Sequence, residues 1–73
     1  MNRVLLAVPT MWADHHVSRV VEALQRLAGV SRVEASAARW EVMVEFDPTA
    51  TSVPTIEAAL RAAGYPSTRA QEI

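Results

Sequence analysis

Apolar and polar positions alternate with two distinct periods along this chain. Residues 4–8 (Val-Leu-Leu-Ala-Val) are a short apolar run with β-branched ends, closed by Pro9. They predict a strand with Val4, Leu6 and Val8 on one face. Residues 14–28 predict a helix, with Val17, Val20, Val21, Leu24, Leu27 and Ala28 at the i, i+3, i+4, i+7 spacing of one buried stripe. Asp14 is its expected N-cap and Gly29 its expected stop. Residues 30–36 form a second strand, with Val33 and Ala35 inward, and residues 36–39 a hairpin turn. Residues 40–46 alternate Trp40, Val42, Val44 and Phe46 against Glu41, Met43 and Glu45, so the aromatic side is expected to face the core. Asp47-Pro48 ends that strand. A second helix starts near Ser52, tolerates Pro54 in its first turn and buries Val53, Ile56, Ala59, Leu60 and Ala63. Gly64 caps it. Residues 65–70 make a last strand, which Pro66 assigns to a sheet edge.

Each helix has a single apolar stripe, so both pack on one face of one sheet. Right-handed crossovers applied to two βαβ halves then give an α+β fold, the ferredoxin-like βαββαβ sandwich. It places two helices on one face of a four-stranded antiparallel sheet of order 4-1-3-2, and residues 1–73 form one domain. This topology brings three connections to one end of the sheet: 9–16, 36–39 and 64–66. A site there draws on Trp12, Asp14, His15, His16 and Tyr65.

Composition narrows the chemistry. The 73 residues include no cysteine, which removes disulfides, thiolate metal sites and thiol nucleophiles together. Seven arginines oppose eight acidic residues for a net charge of −1, and the open sheet face carries Glu41, Met43 and Glu45. Neither feature suits a nucleic-acid binder. No apolar run approaches the roughly 20 residues of a membrane span, and the start is too short for a signal-peptide core. A cytoplasmic location is therefore expected. Two widely spaced glycines make no phosphate loop, and two adjacent histidines give no nucleophile triad. An enzyme is not expected.

One cluster carries functional side chains: Asp14-His15-His16, where a loop enters a helix. At 100° per residue, His15 points away from the buried stripe and Asp14 and His16 lie to either side of it. All three reach solvent. Carboxylate and neutral imidazole ligate borderline divalent metals; the plainer reading is a capping aspartate followed by two solvated histidines. Trp12 is either a docking residue or a cover for the helix end. Met11 lies next to the core and is read as packing.

The chain also resembles the heavy-metal-associated domain of copper chaperones, periplasmic mercury-binding proteins and the N-terminal modules of metal-pumping P-type ATPases. The resemblance rests on Met11, Val17, Val20, Ala23-Leu24, Gly29-Val30, Val33, Val44 to Pro48 and Ala63-Gly64-Tyr65. The departure falls on the family's Met-x-Cys-x-x-Cys loop, where Ala13 and His16 stand at the two cysteine positions. The resemblance implies that His16 holds a ligand position, with Asp14 and His15 beside it, and that Tyr65 lies near the metal loop. Met11, Trp12 and Tyr65 are the expected supporting or docking residues.

Two functions follow as expectations. The first is a metal-binding module (chaperone, sensor or regulatory domain) holding Zn(II), Ni(II), Co(II) or Cu(II) through Asp14, His15 and His16. Its partner would be a metal transporter or other metal-handling protein. Three donors leave a four-coordinate ion incomplete, so water, a partner's ligand or a second copy in a metal-bridged dimer would complete it. The second is a metal-free protein-interaction domain of the same fold, using Trp12 and the acidic sheet face.

Overall fold

The structure, a computed structural model, describes residues 1–72, with side chains through residue 70; Ile73, the end of the expected domain, lies outside the described residues. The elements run β1 (Asn2–Ala7), α1 (Asp14–Gln25), β2 (Val30–Ser36), β3 (Glu41–Phe46), α2 (Val53–Ala62) and β4 (Thr68–Glu72). The strands pair antiparallel in the order β2-β3-β1-β4, which is the expected order read from the other edge.

Register follows burial. Val4 pairs with Val44 and Leu6 with Val42, and all four are fully buried beneath the helices. A slip by one residue would carry this set to the solvent face. The alternate residues form the open face, where Leu5 pairs with Met43 and Arg3 with Glu45. The last of these pairs carries an ion pair at 3.7 Å. Val20 and Leu24 of α1 and Val53, Ile56 and Leu60 of α2 complete the core. Val33 and Ala35 pack against it, half-buried, as their alternation predicts.

Between residues 13 and 40 three local expectations fail. Trp40 is not a core residue of β3. It ends the turn 37–40 with φ +55 and is 54% exposed. The four-residue connection must reverse the chain before Glu41 pairs with Ser36, so position 40 takes a left-handed conformation and its side chain leaves the sheet. Helix α1 ends at Gln25, not at residue 28: Arg26 is the C-cap, and Leu27 closes a final tight turn onto the Leu24 carbonyl at 3.1 Å. Gly29, with φ +89, serves the turn into β2 instead, where its carbonyl accepts from the Asp47 amide at 2.7 Å. At the start of α1 the N-cap is Ala13, and Asp14 is the first helical residue.

Helix α2 behaves as read except at its end, where Ala63 is the C-cap and is exposed, because the chain is already leaving the helix there. Ser52 caps it through its side chain, which accepts from the Thr55 amide, and Pro54 sits in the first turn. At the other end the Tyr65 amide bonds the Leu60 carbonyl at 2.8 Å and the Gly64 amide bonds the Arg61 carbonyl at 3.0 Å. With Gly64 at φ +90 this is a Schellman closure, and it fixes where Tyr65 enters the core. Strand β4 starts at Thr68, later than residue 65, and lies at the sheet edge.

Candidate metal centre

The loop between β1 and α1 is pinned at both ends. The Met11 amide bonds the Val8 carbonyl at 3.0 Å, and the Met11 side chain is fully buried, so it anchors the loop in the core. One residue later Trp12 turns outward and is 68% exposed. Ala13 is extended, with φ −132 and ψ 159, and α1 begins behind it.

An alanine N-cap offers no side-chain acceptor, so the orphan amides at this end need another partner. His16, the third helical residue, supplies it. Its Nδ1 accepts from the backbone N–H of Trp12 and of Ala13, each at 3.3 Å. Glutamate or glutamine usually makes this backward reach from the third position of a capping box; here an imidazole does so. A backbone N–H can only donate. Nδ1 therefore carries the lone pair, and in the neutral ring the proton sits on Nε2.

The same ring is the centre of an aromatic cluster. The Trp12 ring stands edge-on to His16 at 4.9 Å between centroids, His15 lies at 4.1 Å and Tyr65 at 5.7 Å. Tyr65 is buried and held by the helix closure described above. Its contact with His16 joins the loop 9–16 to the turn 64–66. The third connection joins through the Val8 amide, which bonds the Trp40 carbonyl at 2.6 Å. The convergence read from topology is thus present, and it brings a second exposed tryptophan, Trp40, to the same end. Only the weak turn at 36–39 pointed toward that residue.

Electrostatically the site disfavours extra positive charge. Partial burial of the His16 ring, then neighbouring His15, then Arg19 on the next turn hold its pKa below the usual histidine value. Asp14 and His15 are exposed. The His15 and His16 rings are neighbours, tilted by 58° at 4.1 Å between centroids. Asp14 does not join them, since no group of three or more His, Asp or Glu side chains converges on a metal position among the described residues. Nor do these donors fit a thiolate site. Ala13 has no donor atom, and His16 offers nitrogen, not sulfur.

Known proteins are similar to this chain in both fold and sequence. The heavy-metal-associated domain matches residues 5–66. The mercuric transport protein periplasmic component of Shigella flexneri is 41% identical over 64 residues, covering 88% of this chain and 70% of the relative. Its counterpart in Pseudomonas fluorescens is 38% identical over the same shares. Among solved structures, oxidized MerP from Ralstonia metallidurans superposes with TM-score 0.91 at 35% identity, covering 94% of this chain and 96% of that one. A copper binding domain of a P-type ATPase superposes at 0.95 over 99% and 97%; its 22% identity speaks for the fold alone.

These relatives overturn the expectation of a cytoplasmic location, because the mercuric transport proteins are named as periplasmic components. That expectation rested on the lack of a membrane-span run and of a signal-peptide core, and an absence of that kind carries no address. Among the described residues no helix is long and apolar enough to cross a membrane. With the match spanning most of its length and its fold, the chain belongs to the heavy-metal-associated domain family.

Proposed function

We propose that this domain handles a borderline divalent ion, Zn(II), Ni(II), Co(II) or Cu(II), through His15 and His16. Asp14 stands in the same turn without converging on them, so water or a partner's ligand completes the sphere. The observation that carries this reading is the pair of imidazoles at 4.1 Å, set at the loop-to-helix junction where the family's second cysteine position falls on His16. A site without thiols also suits the periplasmic setting of the relatives, because an oxidising compartment cannot close it into a disulfide. Trp12 and Tyr65 flank the ligands, and Met11 fixes the loop from below. The exposed Trp12 and Trp40 make this end the docking surface for a metal transporter or another metal-handling protein.

A second reading has its own observation. His16 Nδ1 is already engaged by two backbone amides, and no three donors converge, which suits a metal-free interaction domain that docks through the two tryptophans.

Thermal melts with each divalent ion, and with Cu(I), separate the two. An ion at about 100 times its Kd adds about 2.7 kcal/mol, which raises the Tm of a domain this small by roughly 10 °C or more. We expect divalent ions to shift the melt, and His15→Ala or His16→Ala to abolish most of that shift. A melt that no ion moves at high micromolar concentration leaves the interaction domain standing.

A further inference from the structure

His16 holds the start of α1 with the same lone pair that a metal would need. In the arrangement present, Nδ1 accepts from Trp12 and Ala13, and Nε2 carries the proton. An ion has two ways to bind this ring. At Nδ1 it takes the lone pair directly and displaces both amides. At Nε2 it requires that nitrogen's proton to leave, and the neutral ring then carries its proton on Nδ1, where it opposes the two N–H donors. Net protonation is unchanged; one N–H bond breaks at Nε2 and one forms at Nδ1. Both routes end with the cap undone.

We infer that metal ligation by His16 and closure of the 12–13 loop exclude one another, so that loading the domain releases the loop and re-presents Trp12. This rests on the metal-binding reading above and adds how loading is signalled. The geometry makes Trp12 the reporter. Its amide is one of the two bonds that the imidazole holds, and its ring packs edge-on against the same imidazole at 4.9 Å. Ala13 cannot substitute as a cap because it has only a methyl group. Met11 stays buried and Tyr65 stays tied to the Leu60 carbonyl, so the movement is confined between Met11 and His16. A partner that reads the exposed indole would then distinguish loaded from empty domain.

The test uses the whole chain, ¹⁵N-labelled, with Zn(II) alone as probe. Long-range imidazole correlations of the metal-free protein at pH 8 should show His16 with its proton on Nε2. On saturation with Zn(II), the Trp12 and Ala13 amides should lose their hydrogen-bonded shifts and exchange about fivefold faster or more, the amount expected for one ordinary hydrogen bond. The Tyr65 amide should not move. His16→Ala should give the same faster exchange without metal. His16→Gln restores an acceptor suited to this position, so it should keep the two amides protected and lose the response to Zn(II). Three results would overturn the inference. A metal-free ring protonated on Nδ1 removes the cap. Zn(II) that saturates while both amides stay unchanged means that His15 binds alone, and metal handling survives without the coupling. If Zn(II) does not bind, the titration is repeated with Ni(II), Co(II) and Cu(II), and binding of none of them ends the coupling together with the metal-binding reading and leaves the interaction domain.

Discussion

A histidine that accepts hydrogen bonds through its ring does so only while neutral, and this sets how His16 answers to pH. Its pKa lies below the ordinary value through partial burial of the ring, the adjacent His15 and Arg19. The unfolded chain therefore binds a proton at higher pH than the folded one. Between the unfolded value, about 6.5, and the lowered folded value, the unfolded state holds more protons, so stability rises with pH there. The contribution is complete above the unfolded value and is lost as acidification passes through the folded one. Melts of the parent and of His16→Gln between pH 8 and 5 should show the parent losing more Tm on acidification. Parallel curves would mean that His16 plays no part in holding the helix start. Legibility at this scale is uneven. That Met11 packs, and that His15 and His16 stand together where the loop enters the helix, could be read from the sequence. That His16 caps the helix could not, because histidine is not among the residues that ordinarily fill that role and the ring's direction depends on a side-chain rotamer. Assigning the cap to Asp14 followed propensity; the chain places Ala13 there because the extended turn comes one residue earlier.

At the scale of elements, the two glycines look alike in sequence and differ in structure. Both have positive φ, +89 at Gly29 and +90 at Gly64. A Cβ on Gly29 would lie 2.7 Å from the Ala50 Cβ, whereas one on Gly64 would meet nothing within 4 Å. Gly64→Ala should therefore cost about 1 kcal/mol for the left-handed backbone alone. Gly29→Ala should cost clearly more, about 2 kcal/mol or above, since the turn 47–51 must also give way. Urea titrations of the two variants give the comparison, and equal losses would show that the contact with Ala50 relaxes freely. The same contrast explains what periodicity could and could not locate. It located β2 to the residue and the register of β3, because alternation continues for as long as the strand is paired. It overran at Trp40 and at residues 26–28. At both places apolar residues continue in phase while the backbone has already turned, at Trp40 into a left-handed conformation and past Gln25 into a tight last turn. Hydrophobic pattern records burial, and these turns are set by chain reversal.

Across the whole molecule, the core and the ligand loop have separate requirements. The loop is anchored by Met11 below and Tyr65 beside it, while residues 13 and 16 are not members of the buried cluster, His16 touching it only through the Tyr65 ring. Donor identity should then be exchangeable without loss of the fold. We predict that Ala13→Cys with His16→Cys converts the domain to soft-ion chemistry. The two thiols would stand at the start of a helix of 12 residues, where the amide dipoles favour thiolate. Thiolates select soft ions such as Hg(II) and Cu(I) over the borderline divalent ions that imidazole prefers. The parent has no cysteine, so every reactive thiol counted in the variant belongs to the new pair. Without metal the variant should melt somewhat below the parent, because the His16 acceptor is gone. With Hg(II) it should melt well above, while Zn(II) no longer acts through an imidazole at position 16. Competition against a small dithiol should show the double variant holding Hg(II) tighter than the parent by orders of magnitude, with either single variant between them. A folded double variant, its two thiols accounted for, that binds Hg(II) no better than the parent would place the determinant of metal choice outside the loop.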